Sequence, residues 1–209
     1  MSRYFKERKL GFTIVEMLVS ISILFIIAST VVLNQSRYTD GAALSNLAEE
    51  LSLNISRAQS YGIGVREVVP GSSDFSASYG LVFSTSFPSA NLAYVFFADR
   101  NDNQGYDGGW GCQVGIAEEC VERVEMTGGN YVDSLCLVFT NGAPEDCSSV
   151  GRVDFIFTRP NVGVQFTFHD VNGSAFTPAA LKGLKITLKS PKDEVRSVTL
   201  YTNGQIAVQ

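Results

Sequence analysis

The chain has 209 residues, enough for one ordinary domain with a sizeable core and an appendage. Hydrophobic residues make up 45% and charged residues 18%, which excludes wholesale disorder. With 16 Lys and Arg against 21 Asp and Glu the net charge is -5. Such a field repels phosphate backbones, gives no general reason to expect nucleic-acid binding, and leaves room only for a local basic patch.

Arg3, Lys6, Arg8 and Lys9 crowd the first ten residues, opposed only by Glu7. An apolar run, Phe12 to Leu33, follows at once with Glu16 as its only charge. As a helix it measures roughly 33 Å, enough to cross a bilayer core. Basic residues stay on the cytoplasmic side of a span, so the N-terminus is expected inside and the remainder outside. A secretory signal peptide would carry its cleavage site after the apolar region, and a simple signal anchor has no use for an acid. Neither explains Glu16. A carboxylate inside a span costs on the order of 3 kcal/mol, and this stretch holds no Lys, Arg or His to pair with it. A cut between Gly11 and Phe12 supplies the partner, because the new α-amino group of Phe12 is positive near neutral pH. Glu16 of one chain meeting the Phe12 amine of a neighbour neutralises two charges that are each unfavourable alone. The pair would set the register of stacking helices.

Lys9-Leu10-Gly11-Phe12-Thr13-Ile14-Val15-Glu16 resembles the prepilin cleavage and methylation site of type IV pilins and type II secretion pseudopilins. That resemblance implies cleavage after Gly11 by a membrane aspartic prepilin peptidase and N-methylation of Phe12. It implies that Glu16, the fifth mature residue, serves subunit assembly. The partners implied are other pilin or pseudopilin subunits, the peptidase and an inner-membrane assembly platform. The protein is then a single-pass protein of the cytoplasmic membrane, drawn into an extracytoplasmic fibre. Many major type IV pilins carry proline where this chain has Leu33, a departure that leans towards a minor or pseudopilin-type subunit.

Beyond the span, Leu44, Leu47, Ala48, Leu51, Ile55 and Ala58 recur at helical spacing and form a core-facing stripe. Leu53 falls on the far side. Gly62 and Gly64 suit the helix end, and Gly41 is a weak point within. The expected division is a leader over 1–11, a helix over 12–61 (transmembrane 12–33, amphipathic 34–61, roughly 70 Å in all) and a head over 62–209.

In the head, short apolar runs alternate with Gly, Asn, Asp and Pro. Strands are expected at Val65–Val69, Tyr79–Ser86, Leu92–Ala98, Val121–Met126, Leu135–Thr140, Val153–Thr158, Gly163–Phe168, Leu184–Lys189, Ser197–Thr202 and Gln205–Val208. The fold class is therefore α+β, a long N-terminal helix packed on an antiparallel sheet or sandwich head. The layout is similar to that of GspH/FimT-like minor pseudopilins. DNA-binding members of that family use an Arg-rich turn near the C-terminus, and the tail Tyr201 to Gln209 has no basic residue. Lys182, Lys185, Lys189, Lys192 and Arg196 offer a weak basic face, for which a solvated strand face is the default.

Asp99, Asn101, Asn103 and Asp107 place oxygen side chains at the alternate positions with which a tight loop wraps Ca²⁺. Gln104 stands where such loops prefer Gly, and Trp110 where a closing Glu would be; Glu118 or Glu119 reaches in only if the chain folds back. The competing reading is a turn that satisfies its own backbone. Structural calcium is the one cofactor these residues suggest. Cys112, Cys120, Cys136 and Cys147 make an even count beyond a membrane segment, which suggests two disulfides; free buried thiols are the alternative, and no C-x-x-C spacing points to zinc. Short loops close at the lowest entropic cost, favouring Cys112–Cys120 and Cys136–Cys147. His169 has no companion for a triad or metal site, and Ser84 and Ser86 lie in no nucleophile elbow. A structural subunit is expected, not an enzyme. The alternative is a tip pilin that binds DNA or a surface ligand.

Overall fold

The computed structural model describes residues 11–68, 71, 75–115, 118–161 and 163–209, with side chains over these except 33–40. The basic residues Arg3, Lys6, Arg8 and Lys9 of the expected leader, and Val69 of the first expected strand, lie outside the described residues, as do the side chains of Leu33 and the start of the expected amphipathic segment. The chain divides into two units, Met1–Thr39 and Asp40–Gln209. Helix α1, Ile14–Ile63, contributes to both.

Within the first unit, Ile14–Val32 is long and apolar enough to cross a membrane, with a mean hydropathy of 2.4 and none of it buried. Large apolar side chains stand exposed all round it, among them Ile14, Leu18, Ile21, Leu24, Phe25 and Val32. A helix apolar on every side is stable in lipid or among other apolar helices. Its hydroxyls turn back on its own backbone: Ser20 donates to the Glu16 carbonyl at 2.7 Å, Ser22 to Leu18 at 2.8 Å, Ser29 to Phe25 at 2.7 Å and Thr30 to Ile27 at 2.8 Å. An unpaired hydroxyl in hydrocarbon would cost about 2–7 kcal/mol, so this bonding makes the segment compatible with lipid.

Among its described residues the second unit holds ten strands: β1 Ser78–Ser84, β2 Ala93–Asp99, β3 Cys120–Glu125, β4 Tyr131–Phe139, β5 Arg152–Phe157, β6 Val164–His169, β7 Ala175–Phe176, β8 Leu181–Lys189, β9 Val195–Tyr201 and β10 Ile206–Val208. They form a six-stranded sheet, β3-β2-β1-β5-β6-β7, and a four-stranded sheet, β10-β9-β8-β4. Every neighbouring pair is antiparallel. The class is α+β with a pilin-like architecture.

Side chains alternate between the faces of a strand, and here each face has its own core. Tyr79, Leu81 and Phe83 of β1, Tyr94 and Phe96 of β2, and Val153, Phe155 and Phe157 of β5 join the helix stripe from Leu44 to Ala58. Leu184, Ile186 and Leu188 of β8 and Val198 and Leu200 of β9 complete that core. On the outer face, Val82, Val95, Phe97 and Ile156 pack against Tyr106 and Cys120, with Trp110 and Cys112 partly buried beside them. The excursion between β2 and β3 thus covers the outer face, which is why β1 and β2 are buried at every position. Aligned with Ile156 on that face is the carboxylate of Asp154, also buried.

The helix approaches β5 closely enough that a Cβ on Gly62 would lie 2.2 Å from the Phe157 carbonyl oxygen. Leu53 is 68% exposed, opposite the stripe. The expected strand at Val65–Val69 is corrected: residues 65–68 carry no strand, Val65 is exposed, and the Arg66 guanidinium sits 3.8 Å from the centre of the Tyr61 ring. β4 begins four residues before the expected Leu135. Its register skips Asp133, a bulge that changes the phase of alternation and hides Val132 from a period-two reading.

Candidate functional site

Gly11 and Phe12 are exposed and precede the helix. Thr13 caps it: its Oγ1 accepts the backbone N–H of Glu16 at 3.2 Å, and its carbonyl accepts that of Met17 at 3.1 Å. Glu16 therefore occupies the third helical position, where an acid also suits the positive end of the helix dipole. Thr13-x-x-Glu16 is the capping-box pattern, a sequence signal missed when Glu16 is read only as a charge in need of a partner. Residues 7–32 match the family model of the prokaryotic N-terminal methylation motif. The match supports a place in the type IV prepilin-like superfamily. It marks a pilin-like structural subunit, a class that assembles with other pilins and is processed by prepilin peptidase. The matched residues end at Val32, before the head. No curated protein and no solved structure matches the chain.

In this prepilin-like chain the other polar concentration is the excursion between β2 and β3. Asp99, at the end of β2, is buried, and its two oxygens accept the backbone N–H groups of Asn103 and Gln104 at 3.2 and 2.9 Å. Asn101 Oδ1 accepts the Asn103 N–H at 3.2 Å, and Asn103 Oδ1 that of Gly105 at 3.0 Å. Both carboxamides then donate to Asp107 Oδ2, at 2.7 Å from Asn101 and 2.6 Å from Asn103. Gln104 adopts φ 67°, the left-handed conformation for which glycine is preferred at that place in such loops. The four expected loop residues are thus brought together.

Of the two acids that could fold back, Glu119 is the one that turns in. It is buried, and its Oε2 accepts the Asp107 N–H at 2.9 Å. Burial raises its carboxyl above the usual range, opposed by the backbone N–H groups of Asp107 and Arg100 and reinforced by the charges of Asp107 and Asp99. Asp154 is raised chiefly by burial as well, with Arg152 opposing through bonds of 2.9 and 2.8 Å to its two oxygens. Arg152 also donates to the Tyr106 carbonyl at 2.6 Å, tying the excursion to β5. A polar cavity of about 200 Å³ lies between them, lined by Asn103, Asp107, Arg152, Asp154, Thr167 and His169 among others. Since Arg152 holds both oxygens of Asp154, that carboxylate is committed before it could orient His169. Ser84 donates to the Gly151 carbonyl and accepts from the Ser86 N–H, a structural hydroxyl.

The cysteines form two disulfides, Cys112–Cys120 and Cys136–Cys147, with Cα separations of 5.4 and 4.0 Å. The first closes the excursion; the second clips residues 141–147 to β4, where Leu137 and Asp146 exchange backbone hydrogen bonds. On the suggested basic face, Lys185 pairs with Glu145 at 3.0 Å and Lys189 with Asp193 at 2.9 Å. Arg196 reaches Ser45 Oγ at 3.1 Å, and Lys182 stands over the Tyr201 ring. Acids on the same surface dilute that patch. Trp110 is half-buried, edge-on to Phe87 at 5.4 Å.

Proposed function

We propose that this chain is a minor structural subunit of a type IV pilus or type II secretion pseudopilus, of the GspH/FimT-like kind. In this reading residues 1–11 are a leader, removed by prepilin peptidase after Gly11, and Phe12 is N-methylated. Residues 12–61 are the assembly segment, whose helix begins at Ile14, transmembrane over 12–33 and amphipathic over 34–61, and 62–209 are the head outside the cytoplasm. Glu16 neutralises the Phe12 amine of the neighbouring subunit, which draws an incoming helix into register.

One observation carries the proposal: a methylation motif over 7–32 coincides with a wholly exposed apolar helix whose only charge is Glu16. The supporting detail is that the hydroxyls of the span are satisfied internally, so Glu16 is the polar group that distinguishes one axial position from another.

Mass spectrometry of the N-terminal peptide, from protein extracted from its native membrane, tests the reading. The expected product begins at N-methylated Phe12. An intact Met1 start, or a cut beyond Val32, would overturn it.

A further inference from the structure

Three Asn-Gly pairs, Asn141-Gly142, Asn172-Gly173 and Asn203-Gly204, stand just beyond the ends of β4, β6 and β9. In such a pair the glycine nitrogen can reach the asparagine side-chain carbon, because glycine has no Cβ to hinder the approach. What holds that nitrogen decides whether it does so, and the three turns differ there. The Gly173 N–H donates to the Asp170 carbonyl at 3.0 Å, inside a turn whose Asn172 and Ser174 N–H groups both donate to Asp170 Oδ1 at 2.8 Å. Gly204 is buried, and its N–H donates to the Tyr201 carbonyl at 2.8 Å. Gly142 is exposed, a Cβ on it would meet nothing within 4 Å, and its N–H has no acceptor among the described residues.

The carbon under attack is prepared as well. Asn141 Oδ1 accepts the Ala143 N–H at 3.1 Å, which turns the carboxamide back along the chain and draws electron density from its carbon. Asn203 shares that arrangement through the Gln205 N–H at 3.0 Å. The two pairs therefore differ at the attacking nitrogen, which is bonded in Gly204 and open to solvent in Gly142.

We propose that Asn141 is a self-modifying site, where the side-chain amide is lost through a cyclic imide to leave aspartate and isoaspartate. The Gly142 nitrogen gives up its proton to solvent hydroxide, bonds to Asn141 Cγ and expels the amide nitrogen as ammonia. Water then opens either carbonyl of the imide ring, giving aspartate or, with the chain rerouted through the side chain, isoaspartate. One water is consumed and one ammonia released, with no change of oxidation state. The surroundings tolerate the product. Thr140 is held by its N–H and hydroxyl on the Ala180 carbonyl at 2.9 and 3.1 Å, and Asp146 by its backbone pairing with Leu137. The added backbone methylene of isoaspartate is thus absorbed by the exposed residues between them. That segment already holds Glu145 and Asp146 and no base, so the new carboxylate deepens an acidic stretch and takes the net charge of -5 one unit lower. The site needs no enzyme and does not depend on how the N-terminus is processed.

Each pair falls in its own tryptic peptide, so the three are measured in one molecule. The full-length protein in detergent micelles is aged at neutral and at mildly alkaline pH, then mapped by mass spectrometry for the amide-to-acid mass gain and for isoaspartate. Asn141 should convert roughly fivefold or more faster than Asn172 and Asn203, the factor that one ordinary hydrogen bond on the attacking nitrogen supplies. The rate should rise with pH, since attack requires the deprotonated nitrogen. In urea the three rates should draw together. Asn141→Gln, whose longer side chain cyclises far less readily, should lose the first acidic species on isoelectric focusing and keep the parent circular dichroism spectrum. Equal rates at the three pairs in the folded protein, or a lead for Asn141 that survives unfolding, would overturn the proposal. So would an acidic species that forms in Asn141→Gln at the parent rate.

Discussion

The backbone N–H of Glu16 donates to the Thr13 hydroxyl at 3.2 Å, so the one charged residue of the Phe12–Leu33 run also occupies the third position of its helix. Charge and capping are separable there, because glutamine suits that position almost as well as glutamate. Glu16→Gln should leave the protein processed and retained in the membrane, yet absent from sheared fibres on immunoblots. Thr13→Ala should cost about 1 kcal/mol of helix stability and leave fibre incorporation intact. Normal incorporation of Glu16→Gln would reduce Glu16 to a helix-start residue.

Gly62 packs where no side chain fits. A Cβ there would meet the Phe157 carbonyl oxygen at 2.2 Å, a backbone atom that cannot swing aside. Gly62→Ala should destabilise the head by about 1–3 kcal/mol, the cost of overpacking. Gly41→Ala, with nothing within 4 Å of its Cβ, should be neutral or stabilising by up to about 1 kcal/mol. Chemical denaturation of the two variants separates these outcomes.

The two disulfides close short loops, with sequence separations of 8 and 11. Replacing both cysteines of either pair by serine should lower stability by about 2–3 kcal/mol. The consequences should differ in place. Loss of Cys112–Cys120 should expose Trp110 and redshift its emission, while loss of Cys136–Cys147 should leave that emission unchanged. Fluorescence alongside thermal melts checks both.

Asp146 accepts hydrogen bonds from the backbone N–H groups and hydroxyls of Ser148 and Ser149. Those bonds, the Ser149 hydroxyl foremost, hold its carboxyl below the usual range. A depressed folded pKa means that the carboxylate contributes stability which is complete above the unfolded aspartate value, about 3.9. It is lost as pH falls through the lower folded value. Asp146→Asn should therefore be less stable than the parent at neutral pH, and the gap should narrow on acidification. A gap independent of pH between neutrality and strong acid would contradict this.

Much of the fold was legible because its signals are local. The helix stripe from Leu44 to Ala58 follows one period, and it is buried as a unit. Strands β5, β6, β8 and β9 alternate cleanly or run apolar between turn residues, and they lie within three residues of where the sequence puts them. Failures came where a local rule gives way to long-range packing. At β4 the bulge at Asp133 resets the alternation, and its cause is the partner strand β8, which no short window contains. Val65 to Val68 look like a strand but pair with no strand among the described residues. In the excursion, the spacing of Asp99 to Asp107 was readable, whereas Asp154 was not singled out. Its place depends on sharing a strand face with Ile156 beneath a loop from elsewhere in the chain. The cap at Thr13 was available in the sequence and was obscured by the greater electrostatic interest of Glu16.

The back-bonded hydroxyls of Ser20, Ser22, Ser29 and Thr30 have a consequence for how this helix changes surroundings. Each donates within its own turn, so none asks anything of a fatty-acyl chain or of an adjoining protein wall. Exchange of one solvent for the other then leaves those groups energetically indifferent. In the proposed reading, what discriminates between the two environments is a single carboxylate one turn from the start, and selectivity over when the helix departs the bilayer would rest on that group.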